Sequence, residues 1–191
     1  MGREFELKYR SDDRTNEALQ AEYGPFTAIS METTYYDTPD GTLSSRRWTL
    51  RRRYESGKSV CTLKTPAKQG RNEWETECDN IQDAVPVLCK LGGPAELPAL
   101  TAQGLIPICG ARFTRYAGLV HFAGAALEIA LDTGVLIGGG KELPLCEVEV
   151  ELKSGEPEAA IAFGMELKRL FTLEPQNKSK FRRALALYRG E

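Results

Sequence analysis

Histidine is almost missing from this chain: it occurs once, at His121. A single imidazole leaves histidine triads and histidine-rich metal sites without their usual parts, and His121 reads as an ordinary strand residue. Cysteine is sparse. The five (Cys61, Cys78, Cys89, Cys109 and Cys146) are odd in number and show no CxxC spacing, which argues against a disulfide framework and against a zinc site. Cys61 reads as packing rather than as a nucleophile. Apolar runs are short, and none approaches the roughly 18 residues that a membrane helix needs. Charge imbalance is absent too: 25 basic against 27 acidic residues leave a net −2. Neither general nucleic-acid binding nor an acidic tail is therefore expected. Tryptophan occurs twice, and Trp48 and Trp74 read as wall or core residues rather than base-stacking platforms. The opening Gly2-Arg3-Glu4 leads into a charged strand, unlike a signal peptide. These absences point to a reduced, cytoplasmic setting, in which Asn177-Lys178-Ser179 matches a glycosylation sequon by coincidence.

What remains is an ordinary globular composition, 41% hydrophobic and 27% charged over 191 residues. That is enough for a single domain with a sizeable core. Alternation predicts a first strand over 3–10. Asp12 or Asp13 caps a helix over about 14–23, ended by Gly24-Pro25. A second strand covers 28–36, and Asp37-Thr38-Pro39-Asp40-Gly41 makes a turn. Residues 47–55 and 58–65 read as a hairpin around Glu55-Ser56-Gly57, followed by a strand at 71–78. The region 80–104 is helical or irregular, broken by Pro86, Gly92-Gly93-Pro94 and Pro98. Strands resume at 107–122, 125–137 and 143–153. Two helices close the chain, one over about 156–172 and one over 179–187. No internal repeat is evident. The order predicts an α+β domain, with an antiparallel barrel or strongly curved sheet and flanking helices.

The charges follow strand parity. Glu4, Glu6, Lys8 and Arg10 share one face of the first strand, against Phe5, Leu7 and Tyr9. Arg47, Thr49, Arg51 and Arg53 alternate with Trp48 and Leu50. Thr62 and Lys64 oppose Cys61 and Leu63. Arg71, Glu73, Glu75 and Glu77 surround Trp74. Glu128 and Asp132 oppose Leu127, Ile129 and Leu131. Glu147, Glu149 and Glu151 oppose Val148, Val150 and Leu152. A solvated outer face is the plain alternative for any one such strand. Two features speak against it. Carboxylates two apart on one strand lie only about 7 Å apart and repel, which makes sense around a divalent cation. The basic residues concentrate on other strands, which makes sense around phosphate oxygens. One interior holding both sets would take a polyphosphate–metal complex. The run Gly138-Gly139-Gly140-Lys141 is no Walker loop, because Val135 stands at the first glycine position and Glu142 follows the lysine. It reads as a hairpin turn.

In this light Glu4-x-Glu6-x-Lys8 resembles the signature of the CYTH superfamily, the triphosphate tunnel metalloenzymes. The resemblance extends in order along the chain, over about residues 3–185. Tyr35-Tyr36-Asp37-Thr38-Pro39, Leu50-Arg51-Arg52-Arg53, Thr62-Leu63-Lys64 and Glu73-Trp74-Glu75 follow at the expected places. Leu127-Glu128-Ile129-Ala130-Leu131-Asp132 and Glu147-Val148-Glu149-Val150-Glu151-Leu152-Lys153-Ser154-Gly155 are similar to the bacterial inorganic triphosphatase branch. Ser179-Lys180 resembles the motif that closes the family pattern. The resemblance implies an eight-stranded antiparallel tunnel with charges inside. It implies Mg²⁺ or Mn²⁺ on Glu4, Glu6, Glu128, Asp132, Glu149 and Glu151, with Glu147 in support. It implies phosphate contacts from Lys8, Arg51, Arg53, Lys64, Arg115 and Lys180. Glu73 and Glu75 would orient the basic residues or position water. Arg112 is a rival to Arg115, because Ala117 and Gly118 replace a denser basic cluster. The histidine-rich C-terminal helical domain of some bacterial relatives is not expected here.

The expected activity is metal-dependent hydrolysis of a short triphosphate, inorganic triphosphate first. Glu4, Glu6 and Lys8 lie nearest the chemistry, and Lys8 acts as an orienting group rather than a firm general base. The alternatives are a class IV-type adenylyl cyclase, a thiamine triphosphatase and a non-catalytic polyphosphate-binding module. The expected partner is a triphosphate-containing small molecule, with no nucleic acid or membrane, and a homodimer is the candidate assembly.

Overall fold

A computed structural model describes residues 2, 3, 5–68 and 70–191. After β1 (Gly2–Arg3) and β2 (Glu6–Arg10) comes α1 (Asp13–Tyr23), then β3 (Thr27–Asp37) and the short α2 (Thr42–Ser45). Next are β4 (Thr49–Glu55), β5 (Lys58–Pro66) and β6 (Arg71–Glu77), then α3 (Ile81–Lys90) and α4 (Leu97–Leu100). The second half holds β7 (Ile106–Phe122), β8 (Ala125–Gly138), β9 (Lys141–Ser154), α5 (Pro157–Phe171), β10 (Glu174–Pro175) and α6 (Lys180–Arg189). All strand pairs are antiparallel, in one sheet of order β1-β6-β5-β4-β3-β7-β8-β9-β2-β10.

That order explains the tunnel. Gly2 and Arg3 pair with Glu73 and Asn72 of β6, whereas Glu6 to Arg10 pair with Glu151 to Glu147 of β9. Residues 2–10 thus touch both ends of the order. The sheet is not one continuous ring of pairs, because this segment changes partner between Arg3 and Glu6. The expected eight strands correspond to the eight longer ones; β1 and β10 are two-residue additions.

The apolar strand faces point outward, under helices. Tyr9, Leu127, Ile129, Leu131, Val148 and Val150 pack with Leu19 of α1 and with Ala160, Phe163 and Leu167 of α5. Leu50, Cys61, Leu63, Trp48 and Trp74 pack under Leu43 of α2, Ala84, Val85 and Leu88 of α3, and Leu97 of α4. The opposite face carries the charges and, against Phe181 and Ala184 of α6, a third apolar cluster that includes Met31, Tyr35, Phe113 and Leu136. Burial of the greasy side under helices leaves it no direction but inward, as a curved two-faced sheet requires.

Local signals set the helix ends. Asp12, rather than Asp13, caps α1: its Oδ1 accepts from Thr15 N at 2.7 Å. In the Asp37-Thr38-Pro39 turn, the buried Asp37 carboxylate accepts from the backbone amides of Thr38, Leu43 and Ser44 at 2.8–3.0 Å. It ties the end of β3 to α2, and so to the start of β4. Ser179 caps α6 by accepting from Arg182 N at 3.2 Å.

Candidate active site

The eight longer strands and α6 surround a cavity of about 780 Å³. The acidic wall comes from β2, β9 and β8. Glu6 stands opposite Glu151, and Glu151 stands opposite Glu128, so three cavity-lining carboxylates form one row across three strands. Like charges directly opposite destabilise a sheet unless a cation lies among them. Lys153 reaches Glu151 at 2.9 Å and Glu128 at 3.4 Å, and Lys8 pairs with Glu6. Glu149, opposite Lys8, lines the same cavity.

The basic wall comes from β4 and β5. Arg51, Arg53 and Lys64 line it. Lys64 has Glu73 at 3.2 Å, and Glu75 also lines the cavity. Arg53 is poorly compensated. Its Nε donates to Thr33 Oγ1 at 3.1 Å, and its guanidinium lies 3.8 Å from Glu55. Burial, then the charges of Arg51 and Arg115, push its pKa down to about 10. Arg51 Nε is buried without a hydrogen-bond partner. Buried cations and orphaned donors of this kind call for an anion.

Arg115 and Lys180 are held differently. Arg115 grips Asp132 through two hydrogen bonds of 2.7 Å and reaches Glu149 at 2.5 Å. Lys180 meets Asp132 and Glu149, each at 2.7 Å, and pairs with Glu147, which also pairs with Arg183. Burial, the largest influence on both cations, favours their neutral forms. The carboxylates outweigh it and raise both pKa values. Glu149 is likewise opposed by burial, yet Lys180, Arg115 and Lys8 hold it well below the usual carboxylate range. Glu147 ends up raised: burial leads, Lys180 opposes, and the charge of Glu149 adds to burial. Burial also lowers Lys8, but Glu6 and Glu149 overcome it and raise Lys8. Lys8 is therefore a cation at neutral pH, suited to an orienting role.

Most of the expected site residues meet in this cavity. Asp132 and Glu147 do not line it; each is 0% exposed, beneath Lys180. Glu4 lies outside the described residues. Arg112 points away and pairs with Glu142 at 2.6 Å on the surface, so Arg115 is the arginine of β7 that enters the cavity. Parity already held a signal for two unassigned lining residues, since Arg71 shares a face with Glu73 and Lys153 with Glu151. Arg183, one helical turn after Lys180, was legible only from i,i+3 spacing.

A hard divalent cation takes six or more oxygens. Asp132, Glu147 and Glu149 each place a carboxylate oxygen within 4.8 Å of the others, but Lys180, Arg115 and Arg183 already occupy that cluster. The row of Glu6, Glu151 and Glu128 is also paired, with Lys8 and Lys153, but its carboxylates are part-exposed to open cavity, which leaves more room for a cation.

A family model, the CYTH domain, matches residues 2–185. This chain belongs to the CYTH family. It is 33% identical over 165 residues to the inorganic triphosphatase of Haemophilus influenzae, a match covering 81% of this chain and 46% of that protein. The CYTH chain thus spans about half the length of that relative. A Pyrococcus horikoshii protein superposes with a TM-score of 0.65 at 23% identity, covering 95% of this chain and 98% of its own. A Hippeastrum protein, named for adenylyl cyclase and described as having a dominant triphosphatase activity, gives 0.65 at 21% identity, covering 98% and 95%. At these identities the solved structures establish the CYTH fold. Among the described residues, no helix is long and apolar enough to cross a membrane.

Proposed function

We propose that this chain hydrolyses a short triphosphate, inorganic triphosphate first, to pyrophosphate and orthophosphate. The observation that carries this reading is the pair of facing walls. On β4, Arg53 is largely buried and under-compensated and half-buried Arg51 has an orphaned Nε, and the carboxylate row Glu6–Glu151–Glu128 stands across the cavity. A polyanion satisfies the first wall, and a divalent cation satisfies the second. The similarity to an inorganic triphosphatase supports the same reading.

Arg51, Arg53 and Lys64 would hold the phosphate chain, with Arg115 and Lys180 set rigidly by their carboxylates. Lys8 would orient substrate as a cation. Glu6, Glu128, Glu149 and Glu151 would hold Mg²⁺ or Mn²⁺, which when bound supplies charge neutralisation and an acidified water. In the reaction, water oxygen bonds to the terminal phosphorus, the bridging P–O bond breaks, and its electron pair leaves with pyrophosphate. Positioning and charge complementarity account for most of the expected acceleration.

A second reading has its own observation. Ile29, Met31, Val60 and Ala117 also line the cavity, next to Arg53 and Arg115. They would seat an organic group, as in nucleoside or thiamine triphosphate. One assay separates the readings: products from inorganic triphosphate, ATP and thiamine triphosphate, each with Mg²⁺ or Mn²⁺. Fast orthophosphate release from inorganic triphosphate alone is expected. Cyclic AMP as the main product from ATP would replace hydrolysis with cyclisation. Binding without turnover would leave a polyphosphate-binding module. If Arg51→Ala turns over like wild type, the cavity is not the site.

A further inference from the structure

Phe113 makes no polar contact through its side chain, yet three of the cavity's cations converge on its ring. The guanidinium carbon of Arg53 lies 5.8 Å from the ring centroid, that of Arg115 lies 5.9 Å away, and Lys180 Nζ lies 5.3 Å away. A cation over an aromatic face within about 6 Å of the centroid is attracted by the ring quadrupole. Such contacts occur about once per 70–80 residues, so a chain of this length would hold about two or three in scattered places. Here three of the four among the described residues share one ring. Scatter does not account for that.

The three cations come from three elements, β4, β7 and α6. Their mutual repulsion favours divergence, and among the described residues Arg53 has one ion-paired carboxylate, Glu55, at 3.8 Å. The ring of Phe113 is 5% exposed, so its quadrupole acts with little screening by water. It does not line the cavity and can act on an anion only through the cations.

We propose that Phe113 is a positioning residue for anion binding: carboxylates fix Arg115 and Lys180 against its ring, and the ring holds Arg53 converged with them, so a phosphate chain meets a preformed set of donors. This rests on the triphosphate reading above. A leucine of similar bulk would fill the space without the quadrupole.

The test replaces Phe113 by phenylalanines carrying one, two and three ring fluorines, which keep the shape and weaken the quadrupole stepwise. Tripolyphosphate affinity is measured by calorimetry in EDTA, beside the melting temperature. The expected result is a Kd that rises with each fluorine, by about tenfold at three fluorines, with little change in melting temperature. Phe113→Leu should lose at least as much affinity. If wild type binds and Kd stays within twofold or tightens across the series, Phe113 is only packing and the inference is overturned. If wild type binds tripolyphosphate neither in EDTA nor with Mg²⁺, the triphosphate reading falls and this inference falls with it.

Discussion

Lys180 meets Asp132, Glu147 and Glu149, and it is itself almost wholly buried. Replacing it with methionine leaves those three carboxylates to Arg115 and Arg183. Breaking a buried network from one side costs about 3–5 kcal/mol. The pH dependence has a definite sign. Lys180 has a raised pKa in the folded protein, so its contribution is complete at neutral pH and fades only well into the alkaline range. Glu149 has a lowered one, so its contribution holds above the ordinary carboxylate range and fades as pH falls. Without Lys180 the buried carboxylates bind protons more tightly when folded than when unfolded, and stability then falls as pH rises. Urea unfolding in EDTA should therefore show a smaller Lys180→Met penalty at pH 5 than at pH 7.5. A penalty equal at both values would mean the network does not hold Lys180 in solution. Arg51 lies on the opposite wall, and with its Nε orphaned Arg51→Met should scarcely alter folding. It should weaken tripolyphosphate binding by roughly tenfold or more, as expected for loss of a charge-assisted donor.

At the scale of elements, α6 carries Lys180 and Arg183 to the sheet, and Gly138 lets it approach. A Cβ at Gly138 would lie 2.4 Å from Ala184 O and 2.7 Å from Tyr188 N, both backbone atoms of α6. Gly138→Ala must push the helix away, at about 1–3 kcal/mol, and Lys180 moves with it. Both thermal stability and tripolyphosphate affinity should fall. Gly140→Ala is the control. Its φ of +73° strains an alanine, but nothing lies within 4 Å of the added atom. It should cost about 1 kcal/mol and leave affinity unchanged. Equal affinity in both variants would disconnect α6 from the site. The carboxylate row Glu6–Glu151–Glu128 belongs to three strands at once. Mg²⁺ or Mn²⁺ should raise the melting temperature of wild type, and Glu151→Gln should reduce that rise. A rise of the same size in the variant would remove the row as the cation site.

For the whole molecule, the tunnel gathers like charges on each of two walls, so ligand binding and stability are linked. Tripolyphosphate at a hundred times its Kd should add about 2.7 kcal/mol, or roughly 5–10 °C in melting temperature for a domain of this size. The shift should shrink as salt rises, since part of the attraction is screened. Differential scanning fluorimetry across a salt series checks both statements, and a shift indifferent to salt would speak against a charged tunnel as the binding place.

Period-two alternation was enough to determine from sequence which described side chains share a face: Glu6 with Lys8, Arg51 with Arg53, Glu149 with Glu151. Turn and cap chemistry likewise determined where strands and helices change over, to within a residue or two at Asp12, Gly24 and Ser179. Parity says that two faces differ; it does not say which is inside, because either could be covered. Packing of α1, α3, α4 and α5 on the apolar faces decided that, since burial of those faces leaves the charged ones to line the cavity. Tertiary structure also split groups that look alike in sequence. Glu149 and Glu151 reach the cavity while Glu147 is sealed beneath Lys180, and Arg115 enters while Arg112 meets Glu142 outside. Phe113 under three cations from three elements could not be read from the chain at all. Side-chain charge and strand parity are local properties. Which charges neutralise one another depends on distances between residues up to about 140 positions apart in sequence, such as Lys8 and Glu149, and only the folded sheet sets those.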